Sequence, residues 1–137
     1  MTFVNSTLYT SPMPTPRIST VLIWSGNYQK LAEWYKTIFH FPVVEELNHP
    51  KDTGTLFDVG GVYLWIGQHS QVHGPSADNA RHMVNISVES VSQTYKDLKG
   101  KGVEFVAEPF ESPVEKDFYF ATFKDPDNNL IQIVGDK

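Results

Sequence analysis

The side chains of this chain best suited to hold a metal or move a proton are five histidines, His40, His49, His69, His73 and His82. Their spacing does not bring them to one face of any element: His69 and His73 fall in a polar linker, His49 beside Pro50, and His40 at a helix exit where glycine is usual. Carboxylates are grouped at Glu45-Glu46 and between Glu111 and Glu115, but adjacent glutamates on a strand point to opposite faces, so an acid/base pair is not implied. No cysteine is present, which removes disulfides, thiolate metal sites and thiol nucleophiles together. Serines lack the strand-to-helix context of a nucleophile elbow. Gly60-Gly61 is not followed by Lys-Ser/Thr or a helix, so it is no phosphate loop. No residue is assigned a catalytic role. What the chain has in quantity is aromatic surface, 13% Phe, Trp and Tyr.

Two stretches, Ile18 to Phe41 and Met83 to Phe105, repeat the order strand, cap, helix, turn. In the first, Leu31, Trp34, Tyr35, Ile38 and Phe39 form one apolar stripe behind the N-cap Asn27. In the second, Val91, Thr94, Tyr95 and Leu98 mark the stripe, and Ser90 with Gln93 is a capping box. The caps lie 63 positions apart. That is too long for a solenoid unit, and two copies are too few for a stack. The spacing predicts strands over Ile18–Trp24, Phe41–Leu47, Leu56–Val59, Val62–Ile66, Met83–Val88, Val103–Ala107, Phe118–Phe123 and Leu130–Val134. Helices are predicted over Tyr28–Phe39 and Val91–Leu98, the second stopped by Gly100 and Gly102. Gly60-Gly61 reads as a tight hairpin and Asp125-Pro126-Asp127-Asn128-Asn129 as a turn. The fold class is α+β, two βαβββ modules over residues 17–67 and 82–135, joined by a polar linker, 68–81, within one domain of residues 17–137. Residues 1–16, rich in Ser, Thr and alternating proline, read as an extended arm.

A chain of 137 residues is long enough for one well-packed core. The formal charge of −5, with eleven scattered basic residues, argues against a nucleic-acid partner. No apolar run approaches the roughly 20 residues that cross a bilayer, and no signal pattern opens the chain. A cytoplasmic location away from membranes is expected.

The doubled βαβββ order, Asn27 with Trp34-Tyr35, the helix exit Leu98-Lys99-Gly100-Lys101-Gly102-Val103 and, above all, Asp125-Pro126-Asp127-Asn128-Asn129-Leu130-Ile131-Gln132 resemble the vicinal oxygen chelate superfamily. That superfamily includes glyoxalase I, bleomycin-resistance proteins, fosfomycin-resistance enzymes and extradiol dioxygenases. The resemblance covers about Arg17 to Val134. It implies strands that curl as a mixed sheet around a cleft, closed within one chain or, more usually, across a homodimer.

Most enzymes of that superfamily hold a divalent metal there through His or Gln, Glu, His and Glu. Carried over by position, those ligands fall on Thr20, near Trp65 with a one-residue uncertainty, on Met83 and on Gln132. Such a set lacks the imidazole and anionic oxygen that Zn, Mn, Ni or Fe require. His82 adjoins Met83, but strand alternation gives it the parity of Val84, Ile86 and Val88, the core face, and only a bulge would reverse that. No metal or other cofactor is therefore expected.

The same parity rule gives the cleft an apolar and aromatic wall: Thr20, Leu22, Trp24, Tyr63, Trp65, Met83, Asn85, Ser87, Phe118, Phe120 and Gln132. Rings stack, Met adapts, and Asn85 and Gln132 orient a ligand by hydrogen bonds. The expected function is a metal-free protein, similar to the bleomycin-resistance branch, that binds an aromatic or apolar small molecule in a dimeric cleft. Two alternatives stand beside it. One is a metal-dependent glyoxalase-type lyase or dioxygenase-type enzyme with His82 turned inward. The other is a non-catalytic interaction module that uses its sheet and arm for assembly.

Overall fold

A computed structural model describes residues 15–137; the arm of residues 1–16 lies almost wholly outside the described residues. The elements run β1 (Thr20–Ser25), α1 (Tyr28–Phe39), β2 (Val43–His49), β3 (Asp52–Val59), β4 (Val62–Gln68), β5 (Val84–Ser90), α2 (Val91–Gly100), β6 (Glu104–Glu111), β7 (Tyr119–Lys124) and β8 (Leu130–Asp136). The first module forms a four-stranded sheet ordered β1-β4-β3-β2, the second an equivalent sheet ordered β5-β8-β7-β6. In each, the first strand runs parallel to the fourth and the other pairs are antiparallel. The α+β architecture of two βαβββ modules is as expected, but the strands form two separate mixed sheets rather than one.

Both helices start where a side chain can serve the first turn. Asn27 Oδ1 accepts from the Lys30 amide and Ser90 Oγ from the Gln93 amide, each satisfying an otherwise free backbone donor. The first helix ends on His40 in the left-handed region, at φ 57°. The second runs through Gly100, and the left-handed stop is Gly102 alone, at φ 88°. Gly60 and Gly61, both at positive φ, make the tight β3–β4 hairpin, and Asp58 Oδ1 accepts from the Gly61 amide.

Several strand limits differ from the sequence reading. The first strand starts at Thr20 and the second at Val43, while β3 begins four residues earlier than expected, at Asp52. Asp52 and Gly54 are poor strand formers, and the segment is held by pairing with Ile66, Gly67 and the end of β2. The sixth strand runs on through Pro109 to Glu111, which its edge position and two register shifts permit.

The alternation along the strands sends one face of each sheet into a single shared core. Leu31, Tyr35 and Ile38 of α1, Phe57, Leu64 and Ile66 of the first sheet, Val91 and Leu98 of α2, and Ala121, Phe123, Ile131 and Ile133 of the second all belong to it. The first helix touches both sheets: Trp34 and Phe39 lie against Phe123, with ring centroids 6.2 and 6.0 Å apart. The opposite parity leaves Leu22, Tyr63 and Trp65 on the other face of the first sheet and Asn85, Gln132 and Phe120 on the other face of the second.

Candidate functional site

On the first sheet the outward row is Leu22 beside Trp65 beside Leu56, with Thr20, Tyr63 and Asp58 in the row before it and Trp24, Gly67 and Gly54 in the row after. Leu22 is 55% and Tyr63 43% exposed, large values for apolar bodies on a sheet. Trp65 is only 9% exposed although it lies on the same face. The two glycines explain this. A Cβ on Gly54 would stand 2.6 Å from the indole Cζ2, and one on Gly67 would collide with the indole Nε1, so the ring lies across the Gly54–Gly67 pair where side chains would otherwise stand. Trp24 borders the same spot, and His69 meets its ring edge-on at 5.2 Å.

On the second sheet the equivalent rows are polar in the middle. Asn85 pairs with Gln132 and Gln132 with Thr122, and Gln132 Nε2 donates to Thr122 Oγ1 at 3.0 Å. The next row carries Ser87, Val134, Phe120 and Phe110. Phe110 stacks on Phe120 at 5.5 Å, and Phe118 meets Phe120 edge-on at 5.1 Å. Met83, 42% exposed, stands just before β5, ahead of the register that begins at Val84.

Cross-strand pairing relates the two modules at the fourth-strand position that the resemblance left uncertain by one residue. Trp65 pairs with Leu22, two residues past Thr20; Gln132 pairs with Asn85, two residues past Met83. Trp65 and Gln132 are thus the same place in the two modules. A hydroxyl, an indole, a thioether and a carboxamide do not fit a divalent metal, which needs imidazole or carboxylate donors. Among the described residues no three His, Cys, Asp or Glu side chains come together in a way that could hold a metal ion. His82 is exposed and shares with Val84 a groove of about 470 Å³ between β1 and the starts of β5 and β8, on the side of the sheet away from Gln132. His73 lines the same groove under the linker. His49 and His69 each accept, through Nδ1, a backbone N–H two residues on, and His40 lies near Lys101 Nζ at a helix exit.

The turn between β7 and β8 is a junction rather than a plain loop. Asp125, 5% exposed, accepts at Oδ2 from the Tyr35 hydroxyl at 2.8 Å and from Asn129 Nδ2, and at Oδ1 from the amides of Asp127 and Asn129. Burial pushes its carboxyl above the usual carboxylate range, and those hydrogen bonds pull it partly back. Burial, and then the neighbouring Asp125, push the Tyr35 phenol well above the ordinary tyrosine value. Ser25 Oγ donates to Asp127 Oδ2 at 2.6 Å, while Ser76 exchanges bonds with Asp127 O and Asn128 Nδ2. The motif thereby ties α1, the end of β1 and the linker to the second sheet and fixes the start of β8, two residues ahead of Gln132. Sequence periodicity could not reveal the Tyr35–Asp125 pair, which is separated by 90 positions. Nor did it single out Gly54, Leu56, Thr122 or Phe110, whose face becomes clear only from cross-strand register.

No match is found among curated proteins. Solved structures are similar in fold. UcmS2 aligns with a TM-score of 0.73 at 19% identity, over 88% of this chain and 98% of that one. A glyoxalase-family protein of Bacillus anthracis aligns at 0.71 and 16%, over 93% and 100%. A glyoxalase/bleomycin resistance protein/dioxygenase family enzyme from Burkholderia phytofirmans PsJN aligns at 0.68 and 19%, over 87% and 98%. The family profile for that superfamily matches residues 17–133, every element from β1 through most of β8. The chain therefore belongs to the glyoxalase/bleomycin resistance protein/dioxygenase superfamily.

Proposed function

We propose that this protein binds an aromatic or apolar small molecule without a metal, in a cleft formed when the first sheet of one copy faces the second sheet of another. The observation that carries the reading is the composition of the four positions where the superfamily's enzymes hold their metal, Thr20, Trp65, Met83 and Gln132, set in an outward-facing aromatic surface. Leu22, Trp24, Tyr63 and the buried Trp65 supply one wall; Asn85, Gln132, Phe118 and Phe120 supply the other. Leaving Leu22, Tyr63, Met83 and Phe110 half exposed is costly for an isolated chain, at about 25 cal/mol per Å² of apolar surface. A second copy relieves that cost and adds the missing wall of the cleft. Ring faces on both walls favour a planar guest.

Two of the three tryptophans, Trp24 and Trp65, lie on the first wall, so their emission reports occupancy. Titration with a panel of planar ligands is expected to give saturable quenching, and sedimentation a dimer. Absence of saturable quenching across the panel, or a monomer at micromolar concentration, overturns the reading. So does stoichiometric Zn, Ni, Mn or Fe in protein purified without chelators.

A further inference from the structure

We infer that the second sheet reads a neutral, planar ligand by the edge of a cyclic amide, a lactam or imide N–H and C=O side by side. This rests on the reading of the outward faces as a ligand cleft. Asn85 and Gln132 are directly paired on adjacent strands, which lie about 4.8 Å apart, so two carboxamides stand next to each other on one face. Gln132 Nε2 donates one of its two N–H groups to Thr122 Oγ1, and Oε1, with no partner among the described residues, is left to accept a guest's N–H. The Asn85 side chain is exposed and bonds to no other described residue, so its Nδ2 can donate to the adjoining carbonyl. An acceptor and a donor held side by side match the donor and acceptor of a cis-amide edge.

Charge and shape narrow the class. The row Asn85, Gln132, Thr122 contains no ionisable group; Glu104 and Lys124 are paired opposite each other one row away, and Asp58 and His40 of the first module share a cavity with Asn85. An anionic or cationic guest would find no counter-charge in the row, and desolvating it would be costly. On the other flank, Phe120 stacked on Phe110 offers a ring face to a planar body whose amide edge lies over the carboxamides.

Four probes of nearly equal size separate the possibilities: isoquinolin-1(2H)-one, its N-methyl derivative, naphthalene and 1-naphthoate. Binding to the full chain is followed by ¹H–¹⁵N shifts of the Trp65 indole and the Asn85 and Gln132 side-chain amides. The lactam is expected to bind at least about tenfold more tightly than naphthalene or the N-methyl lactam, as one lost hydrogen bond would give. Asn85→Leu and Gln132→Met are expected to abolish that preference, so that the lactam and its N-methyl derivative bind equally. Equal binding of lactam, N-methyl lactam and naphthalene overturns this inference while leaving the small-molecule reading intact, as does tightest binding of the naphthoate. No binding by any probe overturns both. The wild-type comparison of lactam with N-methyl lactam decides the matter even where a variant fails to fold.

Discussion

The two modules share a topology and differ in what stands on their outward faces. Where the first has Leu22, Trp65 and Leu56 across one row, the second has Asn85, Gln132 and Thr122; where the first has Gly67 and Gly54 in the next, the second has Val134 and Phe120. The first face is built inward, with a large ring laid over two residues that have no side chain. The second is built outward, with a valine and a phenylalanine at the glycine positions and a carboxamide at the ring position. The turns differ in the same sense: the first module closes on two glycines, the second on a motif hydrogen-bonded to three other parts of the chain. The two modules thus carry an aromatic wall on one side and a partly polar wall on the other, while the core faces that hold them together are largely apolar.

Breaking the first face should produce the largest effect. Trp65→Ala removes a ring that fills the space over Gly54 and Gly67, and is expected to lower unfolding stability by about 3 kcal/mol, read as a shift in urea midpoint. A loss under about 1 kcal/mol would mean that the indole rests on the sheet without packing into it. Gly54→Ala tests the same packing from below. Its Cβ would meet Ile66 O and the Trp65 Cζ2, both at 2.6 Å, and because one of these is backbone the strand itself must yield. A cost of about 1–3 kcal/mol and a red-shifted tryptophan emission are expected. Val134→Ala, at the place in the second module that corresponds to Gly67, should leave the emission unchanged.

The junction between modules comes next. Tyr35→Phe leaves the buried Asp125 one donor short and is expected to cost about 1–3 kcal/mol near neutral pH. Its pH dependence has a definite sign. Because the folded pKa of Tyr35 is raised, its contribution is full below the unfolded value near 10 and is lost as pH rises through the folded one. Wild-type stability should therefore fall more steeply than that of the Phe variant above about pH 10. Asp125 behaves likewise at the acid end: its folded pKa is raised, so the stability it contributes is greatest below the usual carboxylate value and declines as pH climbs through the folded value. Parallel curves for wild type and Tyr35→Phe above pH 10 would remove Tyr35 from the account.

What the sequence made legible follows from local rules. The limits of α1, both N-caps, the Gly60-Gly61 hairpin and the alternation along β5 depend on residues within one or two turns of each other, and all stand where spacing put them. The faces of Thr20, Leu22, Tyr63, Asn85 and Gln132 follow from period two alone. Depth does not: Trp65 and Leu22 have the same parity, yet one is buried and the other exposed, because the difference lies in Gly54, on another strand. The beginning of β3 and the continuation of β6 through Pro109 were hidden for the same reason, since partners on neighbouring strands override weak local preference. The terminal motif could be recognised, but its bond to Tyr35 could not.

The smallest expected effect is the one that most sharpens the contrast between modules. Gln132→Met occupies the place of Trp65 in the other copy, so a purely structural view of the two faces would predict a comparable loss. Among the described residues the Gln132 side chain makes a single side-chain hydrogen bond, to Thr122, and it is only half buried. Removing it leaves the largely buried Thr122 hydroxyl without its donor but gains apolar contact beside Met83 and Leu130, a net change of about 1 kcal/mol or less. A melting curve close to wild type, set against the large loss for Trp65→Ala, would mean that the second face is maintained for what it contacts rather than for the fold. A loss as large as that of Trp65→Ala would make both faces structural and dissolve the division of labour between the two modules.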